Sequence, residues 1–330
     1  MGSLTALTIH DCWYVKLPRF DDIVALKLRH VTIESFESGG SLESLSHLTS
    51  LERLEVTYVE GNEPFRVGLF ALPSLTFVEL GSVKWLEGPD LGPFWRPNNR
   101  RSPTAIYNEA AEIAAAEMEP YPPLGPSLRH LDISLGESED SGQRFMSAGV
   151  CSLEWLTHLT ISRLHSSALL PIALGQLRNL RLLSLSGRFY YFPPSLSLLA
   201  TSLQSLTLHF TSQFSHIYCN YKCLPSLPAS VADLTSLTYV DLTNFQLHSP
   251  TPDLARLALL STLCVDYDFV DRFRNRPDLP TVINCLEKVE TLELGESIWM
   301  VGLPPSFCKL PSLKKLRLSC TCLKQLPAKF

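Results

Sequence analysis

A short apolar phrase, Leu-x-x-Leu-x-Leu or a close variant, returns twelve times along this chain, and a repeat of that kind limits the fold more than any other feature. The copies are Leu4-Leu7-Ile9, Ile23-Leu26-Leu28, Leu51-Leu54-Val56, Leu75-Val78-Leu80, Leu128-Leu131-Ile133 and Leu156-Leu159-Ile161 in the first half. Leu180-Leu183-Leu185, Leu203-Leu206-Leu208, Leu237-Val240-Leu242, Leu260-Leu263-Val265, Val289-Leu292-Leu294 and Leu313-Leu316-Leu318 follow. Most copies stand about 23 to 29 residues apart.

The last two apolar positions of the phrase are two residues apart, and a strand puts residues so spaced on one face. Leucine supplies about 60 of the 330 residues, so the apolar content is concentrated on that face. A coil of about 24 residues cannot enclose its own leucines and must bury them against the coils before and after it. The expected product is a stack of coils with parallel strands along one side. Proline recurs about 13 to 15 residues after the opening leucine, at Pro18, Pro171, Pro193, Pro250, Pro304 and Pro327. Its fixed φ and missing donor suit the first turn of a short helix, so PPSLSLL, PASVADL and PPSFCKL read as short helical or 3-10 return turns.

On this phrase and period the chain resembles the leucine-rich repeat family over nearly all of its length. The resemblance implies an α/β solenoid, horseshoe- or arc-shaped, with a concave parallel β-sheet and short helical or 3-10 turns on the convex side. The best-known form of the repeat carries a buried Asn three places after the last apolar strand residue. Here those places hold Cys12, Val31, Val59, Val83, Gly136, Leu164, Arg188, Thr211, Phe245, Asp268, Ser297 and Thr321. Such an Asn ladder is therefore expected to be absent, with Cys12, Thr211, Ser297 and Thr321 as the substitutes and other groups satisfying the backbone. This irregularity, with the Leu-Pro pairs and the phrase SLKKLRLSCTCLKQLP, is most similar to the repeats of plant disease-resistance proteins and intracellular plant-type repeat proteins.

The interval from Leu75 to Leu128 is about one coil too long. The chain accordingly divides into about four coils over 1–86, a Pro- and Ala-rich insertion over 87–125, and about eight coils over 126–330. Ser102 as cap and Pro103 at the first helical position predict one exposed helix near 104–118. A second insertion near 211–224 carries Phe214, Tyr218 and Tyr221 and reads as an aromatic loop. The first coil begins at Leu4 and the sequence stops inside a coil at LPAKF, where a solenoid end wants a polar cap. Dimerisation through the ends would supply one; a longer parent chain with further domains is the preferred expectation.

A net charge of −5 argues against nucleic acid as the main partner, and the sequence offers no apolar run of the ~18 residues that membrane insertion requires. Nine cysteines, an odd number, and the lack of any Asn-x-Ser/Thr sequon fit a reducing cytoplasm, the cytoskeleton or ciliary axoneme being the alternative location. No phosphate loop, zinc-protease helix, nucleophile elbow or kinase signature occurs, so neither an enzyme nor a cofactor is expected. His209, His216, Cys219 and Cys223 have zinc-ligand chemistry but no familiar zinc spacing. Cys320 and Cys322 lack the redox spacing, and Asp266, Asp268 and Asp271 lack the glycine and closing glutamate of a calcium loop.

What remains is the concave face, whose residues alternate with the buried leucines. In the first coils it presents Lys27, Arg29, His30, Arg53 and Tyr58, and the last coil presents Lys315 and Arg317. Between them Tyr239, Asp241, Asp266, Tyr267, Glu293 and Glu296 form an acidic, tyrosine-bearing set suited to a basic segment of a protein partner. The functional expectation is a non-catalytic interaction scaffold. Its alternatives are a ligand-sensing fragment of a larger immune receptor or receptor kinase, and a structural protein of the cytoskeleton or cilium.

Overall fold

A strand whose alternate residues are leucine has one apolar face to withdraw from water, and β-strands such as His130–Leu135, Leu182–Gly187 and Ser205–Phe210 show that alternation in their burial. The computed structural model describes residues 4–10, 27–34, 36–37, 45, 47–60, 67–83, 127–135, 148–164, 170, 172–188, 192–211, 227–245, 254–266, 286–295, 303, 305–319 and 324. They belong to two compact units, Met1–Leu180 and Arg181–Phe330.

The first unit contains β1 (Ala6–Ile9), β2 (His30–Ile33), β3 (Phe36–Glu37), β4 (Arg53–Val56), β5 (Val59–Glu60), β6 (Phe77–Val83), β7 (His130–Leu135) and β8 (His158–Leu164). Six of these pair in parallel in the order β1-β2-β4-β6-β7-β8, and β3 pairs with β5 as a separate two-strand ribbon. The second unit contains β9 (Leu182–Gly187), β10 (Ser205–Phe210), β11 (Tyr239–Thr243), β12 (Thr262–Asp266), β13 (Thr291–Leu294) and β14 (Lys315–Leu318), also parallel and in sequence order. Each unit is thus a parallel solenoid whose sheet register aligns apolar phrase with apolar phrase. Leu183, for example, pairs with Leu206, and Leu206 with Val240, all three fully buried.

One apolar phrase stands in a different register from that read in the sequence. Strand β2 aligns Val31 with Leu7 and Ile33 with Ile9, so the second triad is Leu28-Val31-Ile33 and not Ile23-Leu26-Leu28. Both triads fit the same degenerate pattern; pairing with β1 and β4 selects the one that buries Leu28, Val31 and Ile33 completely. Lys27 and Arg29 therefore precede the strand instead of alternating along it, and His30 opens it.

The return segments are 3-10 helices at Val67–Ala71, Ala148–Ser152, Ile172–Gln176, Pro194–Leu199, Ala229–Asp233, Leu254–Arg256 and Pro305–Lys309. Pro193 and Pro228 stand just before two of them with φ near −66°, the value their rings impose, and Leu196, Leu199 and Val231 turn inward. Each such leucine contributes about 1.5–3 kcal/mol on burial. That contribution depends on the adjacent coils, because no single coil covers its own side chains.

Backbone groups are satisfied between coils by a repeated device. Within each unit, the carbonyl two residues before a strand's first inward residue accepts two N–H groups from the next strand's coil, as Glu52 O does from Thr76 and Phe77. Where that next residue is Thr or Ser, its hydroxyl donates to the same carbonyl: Thr76 to Glu52, Thr157 to Arg129, Thr238 to Gln204 and Ser261 to Thr238, at 2.8–3.1 Å. These hydroxyls act at the start of the strand, the opposite end from an Asn ladder; of the substitutes named from sequence only Thr211 is among the described residues.

An Asn nevertheless appears, two places after Leu242 instead of three. Asn244 is fully buried, its Nδ2 donates to Phe210 O at 2.8 Å, and its backbone N–H donates to Asp266 O at 2.9 Å. It ties the ends of β10, β11 and β12 together. Its φ of 64° is left-handed, a conformation Asn tolerates better than most residues. Phe245 follows it into the core against Phe192 and Phe210. At Gly81 a side chain is sterically barred, because an added Cβ would overlap the Thr57 carbonyl; the register shifts just beyond it, with Ser82 at φ 53°. The insertion over 87–125, its helix, and the aromatic loop beyond Thr211 lie outside the described residues.

Candidate functional site

Parallel pairing in register brings equivalent positions of successive coils into columns about 4.8 Å apart. In the first unit, the position before the second apolar residue aligns Arg53 with Phe77, Phe77 with His130 and His130 with His158. These side chains form one continuous stack. The Arg53 guanidinium carbon lies 3.6 Å from the Phe77 ring centre, the Phe77 and His130 rings are 4.3 Å apart and within 10° of parallel, and His158 follows at 5.5 Å. Burial, then the neighbouring His158 and Arg53, pushes the His130 imidazole below its usual protonation range.

Two residues along each strand runs a column of carboxylates: Glu55 beside Glu79, and Glu79 beside Asp132. Glu55 is held by the Arg53 Nε and by the Thr32 hydroxyl at 3.1 Å. Glu79 and Asp132 have no ion pair or hydrogen bond among the described residues. Burial raises the Asp132 carboxyl above the usual carboxylate range, and Glu79 raises it further. Of the residues named from sequence for this face, Arg53 belongs to the stack and His30 opens β2, while Tyr58 lies beyond the end of β4. Phe77, Glu79, His130, Asp132 and His158 were not named; reading two outward repeat positions down all copies would have found them.

In the second unit, Tyr239 and Asp241 stand on β11, Asp266 ends β12 and Glu293 is on β13. Asp241 aligns with Cys264, Cys264 with Glu293 and Glu293 with Arg317, so one column joins three strands of this set to the last. The Tyr239 hydroxyl donates to Asp241 Oδ2 at 3.3 Å and accepts from Cys264 Sγ at 3.8 Å. Burial raises the Asp241 carboxyl; the Tyr239 hydrogen bond and His209 oppose that, and Asp266 and Glu293 reinforce it. Burial likewise raises the Tyr239 hydroxyl, with Asp241 adding to it. The Asp266 side chain lies over Gly295, where an added Cβ would overlap it. Glu293 is ion-paired with Arg317 at 2.9 Å and approached by Lys315 at 3.8 Å, so the cations of the last coil compensate part of the acidic set. Tyr267 and Glu296 lie outside the described residues.

His209 projects from β10, whereas His216, Cys219, Cys223, Asp268, Asp271, Cys320 and Cys322 fall outside the described residues. Among the described residues no three His, Cys, Asp or Glu side chains converge to hold a metal ion. Burial pushes the Cys151 thiol up to about 12 and the Cys264 thiol to about 11, so both are thiols, not nucleophilic thiolates, at neutral pH.

Apolar phrases in matched parallel register, closed by 3-10 return turns, decide the architecture. The fold is a leucine-rich repeat solenoid. No protein-family model matches the chain, and no curated protein matches it in sequence. Among solved structures this repeat protein is similar to a leucine-rich repeat protein of Leptospira interrogans, at 19% identity over 95% of this chain and 71% of that one, with a TM-score of 0.48. It is also similar to a TDR receptor, at 18% identity, 96% and 52% coverage and a TM-score of 0.47. The Arabidopsis receptor kinase HAESA, solved in complex with a peptide hormone and a co-receptor, gives 18% identity, 96% and 46% coverage and a TM-score of 0.47. This repeat chain spans about half the length of those two receptors.

Proposed function

We propose that this repeat protein is a non-catalytic interaction module that holds an extended segment of a partner protein against the outward faces of its sheets. One observation carries the reading: half-buried carboxylates and aromatic side chains are ordered in columns on faces that the leucine core does not need. Solubility alone asks for exposed polar groups there. It does not ask for Asp132 and Asp241, whose burial disfavours their charge. Groups whose charge is disfavoured by their surroundings cluster at functional sites, and these two stand on the outward columns.

In the second unit the segment is basic, and it meets Tyr239, Asp241, Asp266 and Glu293. Tyrosine supplies apolar area with a polar tip, and the carboxylates set charge complementarity and register. The site works in the cytoplasm, a reading supported by Cys151, Cys264 and Cys308 being free thiols.

Affinity capture from the source cell tests this. The triple variant Asp241→Asn, Asp266→Asn, Glu293→Gln is expected to lose at least one partner that the parent chain retains. An identical set of partners for both proteins, with Phe77→Leu and Asp132→Asn also without effect, would overturn the reading.

A further inference from the structure

We propose that the outward face of the first unit is a separate docking site for an extended segment bearing an arginine, whose guanidinium is held jointly by Glu79 and Asp132 beside the Arg53–Phe77–His130–His158 stack. The proposal rests on the reading of the sheet faces as partner-binding surfaces, and adds a second location with its own chemistry.

Glu55, Glu79 and Asp132 form one column on three adjacent strands, and Arg53 compensates only Glu55. The two carboxylates left over face each other across one strand spacing, about 4.8 Å. Asp132 is disfavoured there by burial and by Glu79. A cation placed between the two carboxylates relieves their repulsion, whereas an anion or a phosphate would add to it. A metal ion lacks a third ligand, since no group of three metal-binding side chains exists among the described residues.

Geometry narrows the cation. The faces of Phe77 and His130 are already covered by their neighbours in the stack, so the stack offers ring edges to a molecule lying on the sheet. These edges, one phenyl and two imidazoles beside the Arg53 guanidinium, make a ridge parallel to the carboxylate column. A planar guanidinium with five donors can bridge two carboxylates while its plane rests against that ridge, and it sheds water more easily than an ammonium. Rotation of any one ring costs it its contacts with its neighbours in the stack, which favours the arrangement described. An extended segment laid along the columns then puts alternate side chains on the sheet, one on the carboxylates and the next pair clear of them.

The test uses the full chain and a fluorescein-labelled tetra-arginine peptide, with tetra-lysine and tetra-citrulline as controls, read by anisotropy at two salt concentrations. Tetra-arginine is expected to bind at least threefold more tightly than tetra-lysine, and tetra-citrulline to show no binding. The isosteric pair Glu79→Gln, Asp132→Asn is expected to weaken tetra-arginine binding at least tenfold, and Asp241→Asn with Glu293→Gln less than threefold. In the unsubstituted protein the peptide should shift the ring resonances of His130 and His158, a readout that needs no variant. Loss of binding through Asp241 and Glu293 alone, with those ring resonances unmoved, would overturn this site and leave the interaction reading standing. Binding insensitive to both pairs of substitutions would overturn both.

Discussion

Asp132 and Glu79 occupy paired positions on adjacent parallel strands, so two carboxylates of like charge sit side by side on a sheet face with one of them half-buried. The arrangement opposes folding at neutral pH. A carboxyl whose folded-state pKa is raised binds more protons in the folded chain, so its contribution favours folding at low pH and is lost as pH rises past 3.8 through the folded value. Asp132→Asn is therefore expected to raise thermal stability at pH 7 by about 0.5 kcal/mol, a small figure because solvent screens a half-exposed group. Melting curves of both proteins at pH 4 and pH 7 check it, the gap being larger at pH 7.

His130 has the opposite window. Its folded-state pKa is lowered below 6.5, so the folded chain binds fewer protons than the unfolded one, and stability present above pH 6.5 is lost as pH falls through the folded value. Replacing it by Phe, which keeps a ring in the stack, is expected to flatten the stability profile between pH 6.5 and pH 5. A profile unchanged in that range would contradict the assignment.

Asn244 offers a test of the coil-to-coil ties. Asn244→Ala removes its side-chain bond to Phe210 O and forces a left-handed φ on alanine, for an expected loss of about 2–3 kcal/mol. Asn244→Gly keeps the backbone conformation and loses only the bond, so it should fall between alanine and the parent in urea unfolding followed by circular dichroism.

Much of this was legible in the sequence, and the exceptions have physical causes. Leu183, Leu206 and Leu263 could be assigned to the interior because a period of two on a strand admits one buried face, and all three are buried. The second triad was misplaced because Ile23-Leu26-Leu28 and Leu28-Val31-Ile33 satisfy the same phrase, and only pairing with β1 and β4 separates them. Asn244 escaped notice because it stands two residues after Leu242, where the usual pattern would have three. The stack of Phe77, His130 and His158 joins residues far apart in sequence, with the long interval after Leu75 between the first two. All three precede the second apolar residue of a correctly read triad, so they were missed because that outward position was not followed from coil to coil.

Glu293 and Arg317 give a prediction of partner strength. The guanidinium lies 2.9 Å from the carboxylate and competes with any basic segment for it. Arg317→Ala is expected to tighten a basic partner about two- to fivefold, because the ion pair being displaced is exposed and weak. Titration of the captured partner against both proteins measures the change.

The central claim is that partners meet the outward faces of the sheets and not the return segments. Hydroxyl-radical footprinting of the protein with and without its captured partner tests this directly, since the side chains concerned oxidise readily. The expected result is protection of Tyr239, or of Phe77, His130 and His158, while Leu198 and Leu259, 58% and 56% exposed on the return segments, stay as reactive as in the free protein. Protection of Leu198 and Leu259 with the outward columns unchanged would contradict it.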